Sequence, residues 1–125
     1  MIRTLKASMV RGIAGELNEF WEAHRKEIKL SGKNLYNLIG LKKLIVEKGS
    51  ALQDTVIQHA EALGGEWTAD GQMRIPPEHI EVMNEWIQEF MNEDIDIDYQ
   101  EIVVTSEDAV PIPILEALYE FISVE

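Results

Sequence analysis

The chain has 125 residues, 46% of them apolar and 27% charged, and no cysteine, so disulfide and thiolate-metal chemistry are closed to it. At that length one domain buries about two-thirds of its unfolded-chain surface, enough for a single core without staples. Residues 1–63 carry ten Lys/Arg and seven Asp/Glu, whereas residues 64–125 carry sixteen Asp/Glu and one cation, Arg74, a balance unsuited to gripping duplex phosphate.

Residues 5–26 read as a first helix, because Leu5, Met9, Ile13, Leu17, Phe20 and Trp21 recur at three- and four-residue spacing. The first few residues fit a short strand equally well. Gly12 and Gly15 each cost about 1 kcal/mol against alanine in a helix, which close approach of a second helix would explain. Residues 27–30 are a connector, and Ser31 is placed to cap a long second helix over residues 33–63. Leu35, Leu38, Leu41, Ile45, Leu52, Val56 and Leu63 form its apolar stripe, interrupted at Lys48 and Gly49, where a bend or tight packing is expected. Gly64-Gly65 ends it, since glycine accepts the left-handed conformation of a C-cap.

Residues 66–75 read as a small β-hairpin, with Asp70-Gly71 as the turn between Trp67 and Met73/Ile75. Pro76-Pro77 opens a third helix, in which Ile80, Met83, Ile87, Phe90 and Met91 share one face, Trp86 lies near its edge, and Glu81, Glu85 and Glu89 oppose it. Asp94-Ile95-Asp96-Ile97-Asp98 then alternates with period two, the strand signature, and Ile102-Val103-Val104 continues the β-branched run. After a loop with Pro111 and Pro113, Ile114–Val124 is expected to close the chain as a helix burying Leu115, Leu118, Tyr119 and Ile122.

The fold class expected is therefore mainly α with a minor β element, in a single domain over residues 1–125. Its centre is a long antiparallel hairpin of the second and third helices with a small β-turn at the tip. An N-terminal helix and a C-terminal strand–helix unit pack against it. Lys29, Lys33, Lys42 and Lys43 are expected to pair with Glu81, Glu85 and Glu89 across that hairpin.

Chemical templates fail one by one. An EF-hand beginning at Asp94 needs Gly at its sixth position and Glu at its twelfth; the chain has Tyr99 and Thr105 there. His24, His59 and His79 lie at no zinc-motif spacing, no serine sits in a Gly-x-Ser-x-Gly elbow, and the glycines complete no phosphate loop. The expectation is a non-catalytic protein with no cofactor and no metal. Nothing in Met1–Val10 has the apolar run of a signal peptide, and no stretch approaches the roughly 20 apolar residues of a membrane span. A cytoplasmic location and no membrane partner are expected. Trp67, Trp86, Glu81, Glu85, Glu89, Asp94, Asp96 and Asp98 are the candidate partner-binding residues. Against this stand the plainer readings of solvated helix and strand faces, and of Trp67 packed on the hairpin's end.

From Tyr36 onward the chain resembles a family of small proteins of siphophages and prophages of Gram-positive bacteria, a domain of unknown function. The resemblance is carried by the order of features over roughly residues 36–122. These are the Leu41-Lys42-Lys43-Leu44 helix ending at Gly64-Gly65, the Asp70-Gly71 turn running to Ile75-Pro76, and the helix ending Glu89-Phe90-Met91-Asn92-Glu93. The Asp94–Asp98 strand, Ile102, and the terminal Leu115, Leu118, Phe121 and Ile122 complete it. The tryptophans and Pro111/Pro113 depart from the pattern. The resemblance implies phage origin and a non-catalytic accessory role: association with a phage structural protein in the host cytoplasm or the virion, or with itself as a homo-oligomer. An alternative of another class is an anti-defence inhibitor that binds a host defence protein, by acidic mimicry of nucleic acid or by sequestering a ligand.

Overall fold

A computed structural model describes residues 1–125, with 61% of the chain helical and 18% in strands, so the protein is mainly α with minor β. In chain order the elements are β1 (Ile2–Lys6), α1 (Ala7–His24), α2 (Gly32–Ala62), β2 (Glu66–Trp67), β3 (Met73–Arg74), α3 (Ile80–Met91), β4 (Asp94–Asp98), β5 (Ile102–Val104), α4 (Ile112–Ala117) and β6 (Ile122–Val124). Short 3-10 turns cover Arg25–Glu27, Pro77–His79 and Tyr119–Phe121. The strands make three two-stranded sheets: β1 with β4 and β2 with β3, both antiparallel, and β5 with β6, parallel.

The most extensive helix pair is α1 on α2. On α1 the buried residues are Ala7, Val10, Ala14, Leu17 and Trp21, and on α2 they are Leu38, Leu41, Ile45, Gly49, Leu52 and Ala60. Both sets follow three- and four-residue spacing. The α1 stripe is rotated from the one expected: Met9 is exposed, and Ile13 and Phe20 are half-buried, while Ala7 at the helix start and Ala14 near its middle are buried. Close approach is the reason. A Cβ added at Gly49 would overlap the Cβ of Ala14, so the small residues are where the two backbones come nearest. Gly12 and Gly15, expected to serve that purpose, face open space.

The chain start is a strand. β1 pairs with β4 from Ile2↔Asp98 to Lys6↔Asp94, and the amide of Ala7 then donates to the carbonyl of Glu93 at 2.9 Å, satisfying one donor of the α1 N-terminus. Leu5 and Ile97 turn inward and are buried. Ser31 does stand at the N-cap of α2, but its hydroxyl accepts from the Asn34 amide at 3.0 Å instead of capping a backbone N–H. Gly64 and Gly71 are the two positive-φ positions, at 84° and 83°, one closing α2 and the other turning the β2–β3 hairpin.

The C-terminus departs most from expectation. α4 ends at Ala117, a 3-10 turn follows, and residues 122–124 run parallel to β5 in the register Ile102↔Ile122 to Val104↔Val124. The terminal unit is therefore strand–helix–strand. Ile114, Ala117, Leu118 and Phe121 are buried, with Phe121 edge-on to Tyr99 at 5.0 Å, whereas Tyr119 is 75% exposed. Parallel pairing needs a crossover of a dozen or more residues, and residues 105–121 supply it.

Two asparagines of α2 stand in for a strand beside β5. The side-chain oxygen of Asn34 accepts the Val103 N–H at 3.1 Å, and the Asn37 amide donates to the Glu101 carbonyl at 3.1 Å. Asn34→Ala leaves the half-buried Val103 N–H without its partner and is expected to cost about 1–2 kcal/mol in urea denaturation. Asn34→Asp keeps an acceptor and is expected to cost less.

Candidate partner-binding surface

The acidic half of the chain is laid out on two surfaces of different character. The first is the outer face of β4. In an antiparallel pair, directly opposed residues share a face, so Asp94, Asp96 and Asp98 face Lys6, Thr4 and the chain start. Lys6 Nζ donates to Asp94 at 2.8 Å, Thr4 Oγ1 donates to Asp96 at 2.6 Å, and the N-terminal ammonium lies 3.7 Å from Asp98. All three aspartates are exposed, yet each already has a cross-strand partner. Arg3, on the other face of β1, pairs with Glu120 at 3.2 Å. The basic complement of this acidic row is thus a strand at the opposite end of the chain.

The second surface is α3. Glu81, Glu85 and Glu89 are exposed along one side, and none has a cationic partner within the chain. The pairing expected with Lys29, Lys33, Lys42 and Lys43 is absent: those lysines form no ion pair either. Lys42 instead lies over the Trp21 ring at 5.6 Å, a cation–π contact that draws it toward α1. Lys33 and Lys43 stay on the open side of α2.

Aromatic residues complete the picture. Trp86 is half-buried in a three-ring stack, 3.9 Å from His59 of α2 and 4.9 Å from Phe90. That stack anchors α3 to the far end of α2. Trp67, expected to pack on the hairpin's end, is 56% exposed. Met83 is the one fully buried residue of α3, and Ile80 and Val82 are exposed at 45% and 51%. Val82 shares the glutamate side of the helix, an apolar residue inside a polar row.

The five better-formed surface clefts have volumes of roughly 220 to 390 Å³, and none of them is enclosed. The cleft of about 220 Å³ lies between the first half of α2 and residues 98–100, walled by Tyr36, Leu41 and Leu44 and opened by Gly40. Tyr36 at its rim is 78% exposed. No three His, Asp or Glu side chains converge as a metal site, and the three aspartates of β4 are strung along a strand. No helix is long and apolar enough to cross a membrane.

Sequence reasoning named Trp67, Trp86, the three glutamates and the three aspartates. The structure brings Trp86 together with His59 and Phe90, aligns the glutamates beside Val82, and draws the aspartates into cross-strand pairs. It adds Val82, Ile80, Tyr36 and Ile39, exposed apolar residues on otherwise polar surface. Val82 was detectable as a break in the polar side of the third helix. Comparison with protein-family models, curated proteins and solved structures finds no match.

Proposed function

We propose that the protein is a phage- or prophage-encoded accessory protein that works by protein–protein association, as a minor virion or assembly component, and not by catalysis. The observation that carries this reading is the surface of α3 and the preceding hairpin. Val82 is exposed on the same side of α3 as unpaired Glu81, Glu85 and Glu89, and Ile80 at the start of that helix and Trp67 in the hairpin are exposed as well. Aromatic and apolar residues with a charged rim are what protein interfaces use, the anchors giving affinity and the charges giving selectivity. The long antiparallel hairpin of α2 and α3 belongs to the same reading; the His59–Trp86 stack joins the two helices, although the main partner of α2 is α1. The resemblance over residues 36–122 supplies the phage context.

The anti-defence alternative is favoured by one feature, the excess of sixteen Asp/Glu over one cation in residues 64–125. The internal pairing of Asp94, Asp96 and Asp98 weakens it, because a phosphate mimic presents its charges free. Affinity capture from a phage-producing host separates the two. The tagged chain is expected to enrich phage head or tail proteins, and Trp67→Ala combined with Val82→Glu is expected to lose them about tenfold or more. Capture of a host nuclease, released by salt, would favour the inhibitor. Equal capture by the chain and its variant would sink the proposed surface.

A further inference from the structure

We infer that the partner of the α3 surface is a second copy of this chain, docked through the basic side of α2. The inference rests on the reading of α3 as an association surface and names its occupant. Its basis is charge complementarity left unused within the monomer. Lys33 and Lys43 share the open side of α2 with Tyr36 and Gly40, while Glu81, Glu85 and Glu89 share the open side of α3 with Val82, and no residue of either group has an ion-pair partner in its own chain.

The two sides match in length. At about 1.5 Å per residue, Lys33 to Lys43 spans about 15 Å and Glu81 to Glu89 about 12 Å. Long lysine side chains cover the difference. They also match in shape. The cleft of about 220 Å³ beside Tyr36 has an apolar wall of Leu41 and Leu44, and at its mouth Gly40 has open space where a side chain would stand. Val82, flanked by glutamates, is the apolar group that enters it. Ile39, 36% exposed, extends the apolar contact along α2.

Each copy carries both sides, so reciprocal docking closes a two-fold dimer. A standard interface takes about 800 Å² from each partner, a tenth of the 8135 Å² that the chain exposes. Three carboxylates oppose the contact: Glu47, on the same side of α2 as Lys43, Asp98 in the wall of the cleft and Glu101 beside Lys33. Lys33 and Lys43 must outweigh them, which confines the docking to the first half of α2.

The test is analytical ultracentrifugation of the full chain at low salt and at about 0.5 M salt, where the screening length falls to a few ångströms. A dimer is expected at low salt, weakening about tenfold or more at high salt. Lys33→Glu with Lys43→Glu is expected to be monomeric, and so is Glu81→Lys with Glu85→Lys and Glu89→Lys. An equimolar mixture of the two variants, each with its helical circular dichroism intact, is expected to recover a dimer, because every docked pair again joins unlike charges. A monomer at all concentrations, a dimer insensitive to both sets of reversals, or a mixture that stays monomeric would overturn the inference. A monomer that still captures phage proteins through Trp67 and Val82 would leave the association reading standing and remove only the second copy.

Discussion

Gly49→Val is expected to destabilise the protein by about 3 kcal/mol, near the upper end of what overpacking costs in a well-filled core. At this chain length that lowers the melting temperature by about 4 °C for each kcal/mol. The direction is not what helix propensity dictates. Replacing a mid-helix glycine normally gains up to about 1 kcal/mol. Here the new Cβ would overlap the Cβ of Ala14, an atom fixed to the backbone of α1, so the two helices must separate. Separation loosens Val10, Leu17, Ile45 and Leu52 at the same seam, all of them buried. Two controls isolate the cause. Gly40→Ala, in the same helix but facing open space, is expected to stabilise by up to about 1 kcal/mol. Ala14→Gly is expected to be harmful alone yet to recover part of the loss in the Gly49→Val background, a coupling that a double-mutant cycle by thermal and urea denaturation reads directly. If Gly49→Val and Gly40→Ala behaved alike, the close contact of α1 and α2 would be wrong.

Local chemistry made some of this fold legible. Gly64-Gly65, Asp70-Gly71 and Pro76-Pro77 each impose a backbone geometry on their own, and the structure has a helix end, a turn and a helix start at those places. The alternation of Asp94–Asp98 likewise specifies a strand with one wet face. Its partner was illegible, because Ile2–Lys6 lies at the other end of the chain and a short polar strand carries no mark of what it will pair with. The α1 stripe is hard to read from sequence because alanine contributes little to a hydrophobic pattern, and yet Ala7 and Ala14 are buried, Ala14 where α1 comes closest to α2 at Gly49. The candidate surface follows the same logic. Exposed glutamates could be placed on α3 from spacing alone. That the α2 lysines leave them unpaired depends on where the helices sit, which no residue spacing encodes. Val82 and Tyr36 carry no functional signal of their own in the sequence, because a single apolar residue on a polar face is ordinary until its surroundings are known.

The chain's last eleven residues give the second large effect, and they decide between two ways of folding the same pattern. Leu115, Leu118, Tyr119 and Ile122 are spaced for one helix, which would bury Tyr119. The structure instead ends α4 at Ala117, turns through Tyr119–Phe121 and pairs Ile122–Val124 with β5, because Ile122 and Val124 are β-branched and β5 has an edge to offer. The turn swings Tyr119 into solvent and drives Phe121 inward, where it meets Tyr99 edge-on at an interplanar angle of 85°. Phe121→Ala is therefore expected to cost about 3–5 kcal/mol, from lost burial and the cavity left behind, with part of the loss due to the aromatic pair. Against a total stability of about 5–15 kcal/mol, that takes a large share of what holds the domain folded. Tyr119→Ala is expected to change stability by no more than about 0.5 kcal/mol, as an exposed substitution with no partner. A continuous helix would reverse the ranking, placing the large loss at Tyr119. Urea denaturation of the two variants side by side reads the order directly. Tyr99→Ala should follow Phe121, since the two rings brace each other between the end of β4 and the start of β6, and the double variant should then lose less than the sum of the single losses.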